Sequence, residues 1–258
     1  IVPFLLSQPD EQLTSPTPDS VSMIVIVIAT AFLADGLTSR KIDWIATGLV
    51  AAAAAASVRT QLWAFVILTV LSLVIWMVRR RAWSLRPRAL LILSGLLTFV
   101  LVIVTQIRDA IQSGWILFPL EIWALPVDWR FPDPSSARSW IIAWAREPGA
   151  APDSVTNDWS WIGGWLGRST ADWNIQWMLG CLALAGTLWL ARNWLYRLIP
   201  RNQLANMKPH RHLALLILIP ITLSIFLWFL SAPDPRFAWG LFALLGIIPA
   251  AIVSTALF

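Results

Sequence analysis

A chain of 258 residues with 58% apolar and only 13% charged side chains has too little polar surface to wrap a soluble core. Soluble chains carry about 25% charged residues. The net charge of +5 does not point to nucleic acid, because the basic residues come in short clusters between apolar blocks, as in the cytoplasmic loops of membrane proteins.

Seven apolar blocks follow one another along the chain. The N-terminal segment has Asp10, Glu11 and Asp19 as its only charges. Blocks then run from about Val21 to Leu37, Ile42 to Val58 (with six consecutive alanines, Ala51 to Ala56), Leu62 to Val78 and Ala89 to Ile107. After a long mixed stretch come Ile175 to Ala191, Leu213 to Leu230 and Ala238 to Phe258. Each approaches the length that crosses a hydrocarbon core of ~30 Å as a helix, and lipid demands closed backbone hydrogen bonding. The expected fold is an all-α polytopic transmembrane bundle of about seven helices. Residues 1–107 hold four spans after a short outer segment, 108–174 form a Trp-rich extracytoplasmic loop, and 175–258 hold three more spans. The chain opens on Ile1 rather than Met, so it reads as the C-terminal portion of a longer polytopic protein.

Orientation follows from the basic clusters. Arg79, Arg80, Arg81, Arg86 and Arg88 stand together without an acid, as do Arg192, Arg197, Arg201, Lys208 and Arg211. Both belong on the cytoplasmic side. The long loop then faces outward, and its eight acids against five arginines agree. The expected location is integral to a membrane with these clusters on its cytoplasmic side, and membrane lipid is an expected partner.

Nine of the eighteen tryptophans fall between Arg108 and Asn174. Their ordinary role is an interfacial belt, and the alternative is stacking on the C–H faces of sugars. Ser139 to Arg146 spaces Trp140 and Trp144 as an amphipathic helix that lies on the membrane, and Pro148-Gly149 stops it.

Arg236 sits between Pro235 and Phe237, with Pro233 and Pro235 fixing the backbone around Asp234. A held arginine at the outer face suits bidentate recognition of phosphate, and the competing reading is an anchor paired with Asp234. Arg108 and Asp109 are adjacent, so on a helix they do not face each other, which leaves Arg108 to seek a lipid head group. Arg130 and Arg146 are further outer cations that complete a pocket for an anionic lipid carrier, or else pair with the loop acids. Asp35 and Arg59, near span ends, read as snorkelling or capping charges. His210 and His212 have no acid or cysteine beside them to make a metal site, and Cys181 is alone. The sequence shows no complete catalytic constellation and no cofactor motif.

Several segments in order carry a resemblance. They are Ile111-Gln-Ser-Gly-Trp-Ile-Leu-Phe-Pro119 with its Trp115, Val127-Asp-Trp-Arg-Phe-Pro132, Trp144-Ala-Arg-Glu-Pro-Gly149 and Ala232-Pro-Asp-Pro-Arg-Phe237. Together with Ser15-Pro-Thr-Pro-Asp19 the set resembles a bacterial family of polytopic membrane proteins related in architecture to GT-C glycosyltransferases. The resemblance implies a transferase that takes sugar from a polyprenyl-phosphate donor to a glycan or lipid acceptor at the outer face of the bacterial cytoplasmic membrane. It implies that Arg236 and Arg108 hold phosphate, that Trp115 borders the acceptor, and that the catalytic acid lies in an earlier outer loop. Asp19 precedes a later span and is not promoted to that role. A divalent metal is compatible with the complete enzyme, though no ligand set appears here. The competing readings are a polysaccharide polymerase or ligase, a transporter or flippase, and a non-catalytic membrane subunit. Transport is disfavoured by span centres that carry almost no charge.

Overall fold

The computed structural model describes the backbone of residues 18–80, 85–198 and 211–255, and the side chains within 18–78, 89–191 and 215–251. Asp10, Glu11 and the side chains of both basic clusters lie outside the described residues. Among those described, the chain is helical, with one isolated antiparallel bridge between Trp115 and Ala124.

Four of the described helices precede the long loop: α1 (Pro18–Ser39), α2 (Ile42–Val58), α3 (Trp63–Arg80) and α4 (Leu85–Ser113). The loop carries α5 (Pro134–Arg146), α6 (Pro152–Val155) and α7 (Ile162–Ala171). Then come α8 (Trp173–Leu198), α9 (Arg211–Ser231) and α10 (Trp239–Thr255), with 3-10 turns at Thr60–Leu62 and Pro235–Ala238. Among the described residues, four segments are long and apolar enough to cross a membrane: Pro18–Ser39, Thr60–Val78, Ala89–Ser113 and Trp173–Ala191. The other three expected spans correspond to shorter apolar helices, Ile42–Val58, Leu215–Ser231 and Pro235–Ala251. The 17 residues of α2 reach about 25 Å as helix, short of a full hydrocarbon core.

Small residues set the packing. α1 and α2 form a tight antiparallel hairpin in which Ala52, Ala53, Ala55 and Ala56 are buried. A Cβ on Gly48 would stand 2.8 Å from the Ala29 carbonyl oxygen, so only glycine lets these backbones approach so closely. α10 packs on α1 and on α8, while α3 leans on α9. The main core gathers Met23, Ile26, Leu33, Phe65, Ile221 and Leu241. α4 rests on α2 at the edge of the bundle and turns Leu93, Leu96, Phe99, Val100, Ile103 and Val104 outward. A contiguous apolar face of this kind suits lipid.

Two boundaries differ from the hydropathy reading, and both matter for the site. α1 is already helical at Pro18, where proline is compatible with a first helical turn and an acid is favoured. Asp19 is therefore inside the helix, not in a segment before it. α4 does not end at Ile107 but continues to Ser113, so Arg108 and Asp109 are helical. It stops at Gly114, whose φ of +74° is the left-handed conformation that ends helices.

Candidate functional site

The described ion pairs are Arg59–Asp19, Arg108–Asp109 and Arg236–Asp234, and all three stand at the end of the bundle that carries the loop. α1 starts there, α2 and α4 finish there, and the 3-10 turn between α9 and α10 crosses it.

Asp19 is 4% exposed and pairs with Arg59 across the open end of the α1–α2 hairpin. The chain leaves α2 in an extended conformation at Arg59, whose N–H still bonds the Ala55 carbonyl at 2.9 Å. Its guanidinium thereby turns back to the first turn of α1, where the helix N-terminus also favours the carboxylate. The Arg59 guanidinium also lies over the Phe237 ring, 5.2 Å from its centroid. One arginine thus ties the start of α1 to the turn before α10.

That turn is clamped from several directions. The Trp228 indole donates to the Asp234 carbonyl at 2.9 Å, and the Trp165 indole donates to the Pro233 carbonyl. The Trp239 indole donates to Asp172 Oδ2 at 2.9 Å, while Asp172 Oδ1 accepts the Asn174 N–H that opens α8. Asp234 accepts the Arg236 backbone N–H at 3.0 Å and receives Arg236 Nη2 at 2.6 Å. The Arg236 guanidinium is held firmly protonated, chiefly by its hydrogen bond to Asp234, with burial opposing and the charges of Asp234 and Asp19 adding. Its side chain remains 49% exposed. Arg236 is a fixed cation with an open face.

Arg108 is not left unpaired by its neighbour. Nε and Nη2 reach Asp109 Oδ1 at 3.1 and 3.0 Å, and Nη1 donates to the Ser57 carbonyl at 3.1 Å. Helical spacing separates the Cβ atoms of adjacent residues, but the long arginine stem curls back far enough to close the pair. Ser57 lies two positions before Arg59, so the last turn of α2 joins Arg108 to the Asp19–Arg59 pair.

The remaining expected residues fall in two other places. Trp115 donates through its indole to the Phe131 carbonyl at 2.8 Å, and the Arg130 guanidinium lies 5.7 Å from the Trp115 ring centroid. Gly114 permits this, since a Cβ there would stand 2.7 Å from Arg130 Cα. Arg146 is committed to the cap of the loop. It lies 4.9 Å from the Trp161 ring centroid and donates to the Val155 carbonyl at 2.8 Å and to that of Thr156 at 3.2 Å. Burial lowers its pKa. The structure therefore does not gather Arg108, Arg130, Arg146 and Arg236 by direct contact, and Arg59 is the residue that links two of the groups.

Asp19 and Arg59 are the residues that sequence reasoning passed over. The signal was present as Pro18-Asp19 at one end of a helical hairpin and a lone arginine at the facing end. Among the described residues, no group of three or more His, Cys, Asp or Glu stands together as a metal site.

A family model described as a domain of unknown function, DUF8201, matches residues 1–243. The chain belongs to this family. No curated protein and no solved structure matches it. Within this DUF8201 chain the aromatic side chains divide by environment. Trp161, Trp165, Trp228 and Phe229 form a packed cluster that docks the cap onto α9. Trp123, Trp129, Trp140, Trp144 and Trp159 are exposed.

Proposed function

We propose that this chain forms the lipid-phosphate-binding part of a GT-C-like integral membrane glycosyltransferase, with its loop end at the outer face of the bacterial cytoplasmic membrane. In this reading all seven apolar helices lie across the bilayer, the three shorter ones included, and the basic clusters face the cytoplasm. The observation that supports it is the gathering of three arginine–aspartate pairs at the loop end, with Arg236 immobilised and open. A guanidinium already fixed by a carboxylate costs little to orient when a phosphate arrives.

Sugar transfer from a lipid phosphate needs cations that stabilise the departing phosphate as charge develops. Arg236, beside Asp234, and Arg108 take that role, with Arg59 joining them. Trp115 and Arg130 border the acceptor, a glycan or lipid, and the exposed Trp123 and Trp129 offer faces on which sugar rings stack. Arg146 contributes by holding the cap that carries α5 and α7.

The test is binding of a labelled polyprenyl-phosphate sugar by the protein in lipid vesicles. Arg236→Gln is expected to weaken binding about tenfold to a hundredfold, the usual effect of losing one charge-assisted hydrogen bond. Equal binding by the Arg236→Gln protein, or a parent protein that does not bind the donor, sinks the reading.

A further inference from the structure

The cap of the loop sits level with the end of α9. Phe229, in the last turn of that helix, stacks on Trp159 with ring centroids 6.5 Å apart and lies 5.8 Å from the Trp161 centroid. Along α9, Ile219, Leu223, Phe226 and Leu230 are exposed and form an apolar stripe of the kind a span turns to lipid. Trp159 is itself 58% exposed, so exposed aromatic surface continues from the end of that stripe onto the cap.

α5 joins the cap by one side only. Ala143 is buried there with Val155 and Trp161. Ala137, Trp140, Ile141 and Trp144 fall within an arc of about 100° around the helix, and Ala143 lies outside it. Trp140 and Trp144 are each 54% exposed, and Ile141 is exposed beside them. Among the described residues, no acceptor takes the indole N–H of Trp140, Trp144 or Trp159. The indoles of Trp161 and Trp165, by contrast, donate to the carbonyls of Asp158 and Pro233. α5 contains no acid, and Arg138 is exposed on the flank of the arc. Periodicity alone predicts an apolar face on α5 and not whether the cap consumes it. The structure spends the Ala143 side on the cap and leaves the tryptophan side bare.

We infer that the cap rests in the outer leaflet of the protein's own bilayer, with Trp140, Ile141, Trp144 and Trp159 among the glycerol and upper acyl groups. There the indole bodies leave water while their free N–H groups meet lipid ester oxygens. Arg138 reaches up to the phosphates. A glycan or a protein partner also suits exposed tryptophans, but the level of Trp159, at the end of the α9 stripe, favours lipid. The inference takes from the proposed reading only that α9 lies across the bilayer with the loop end outward.

The experiment uses the full chain in phosphatidylcholine vesicles. Nitroxide labels are placed on Ile141→Cys, on Trp144→Cys and, as the aqueous control, on Glu147→Cys. Each variant also carries Cys181→Ala, which removes the chain's own thiol. Electron paramagnetic resonance compares collisions with dissolved oxygen and with a water-soluble nickel chelate. Oxygen is expected to dominate at 141 and 144, at the ~5–10 Å depth of an interfacial helix, and nickel at 147. Nickel dominating at 141 and 144 overturns the inference. Labels shielded from both reagents overturn it too, because a second copy or another protein then covers the face. A second measurement needs no cysteine: lipid brominated high on its chains is expected to quench the parent's fluorescence more than that of Trp140→Phe combined with Trp144→Phe. Equal quenching of the two overturns the inference. Lipid-seated labels in a protein that does not bind the sugar donor support the cap's seat and count against the transferase reading. Water-exposed labels in a protein that binds the donor do the reverse.

Discussion

The Arg59 guanidinium closes on the buried Asp19 carboxylate at the open end of the α1–α2 hairpin and also lies over the Phe237 ring. The start of α1 is thereby fastened to the turn that positions Arg236. Taking both charges out of water is costly, and the attraction between them offsets that cost only while both are present.

Breaking this pair from one side leaves an uncompensated buried charge. Arg59→Ala is expected to destabilise the protein by about 3–5 kcal/mol, the usual cost of orphaning one partner of a buried pair. Asp19→Asn combined with Arg59→Gln, which removes both charges, is expected to cost less than Arg59→Ala alone. Thermal unfolding of the three proteins in one detergent decides it, and a double variant as damaged as Arg59→Ala refutes the pairing argument.

The two indoles that hold the Ala232–Phe237 turn offer a way to loosen the site without removing a charge. Trp165→Phe and Trp228→Phe leave the Pro233 and Asp234 carbonyls without their indole donors. Each loss is expected to cost about 1–3 kcal/mol of stability. Donor affinity is expected to fall in both variants although Arg236 is untouched, and titration with a polyprenyl phosphate measures that. Affinity equal to the parent's in both means the turn does not depend on the clamp.

Helix approach supplies a stability test with an internal control. A Cβ on Gly240 would overlap Ile26, and one on Gly48 would meet Leu33 Cγ at 2.7 Å. Gly240→Ala and Gly48→Ala are each expected to cost about 1–3 kcal/mol through overpacking. Gly95→Ala, in open space, is expected to stabilise by up to about 1 kcal/mol through helix propensity. The order of the three unfolding temperatures checks this directly.

Acid acts on the cap of the loop. Asp133 accepts the Ser135 hydroxyl at 2.7 Å and the Ser136 N–H at 3.0 Å, and these bonds hold its carboxyl below the ordinary value of 3.8. Asp158 is lowered in the same way by the hydroxyl and N–H of Ser160. A carboxylate with a depressed native pKa contributes stability that is full above its unfolded pKa and is lost as pH falls through the native one. Amide exchange in the first turn of α5 is therefore expected to stay constant from neutral pH down to about 4, once the intrinsic rate is divided out, and to quicken below that. Asp133→Asn, which caps without titrating, is expected to flatten the acid limb.

The membrane class, the apolar blocks and the tryptophan-rich loop follow from the sequence because lipid imposes a local rule. Each segment must be apolar over its own length and close its own backbone bonds, and that is written residue by residue. The Ala232–Phe237 turn was legible for a similar reason, since Pro233 and Pro235 fix their backbone locally. What the sequence could not decide was which charged ends meet. Asp19 lies in the first turn of α1 and Arg59 just past the end of α2, and only the antiparallel packing of α1 on α2 brings them into contact. The Arg108 bond to Ser57 depends likewise on how α4 leans on α2, a choice made by the small residues at their crossings. Helical periodicity fixes the face of a helix, and only the packed bundle fixes what that face meets.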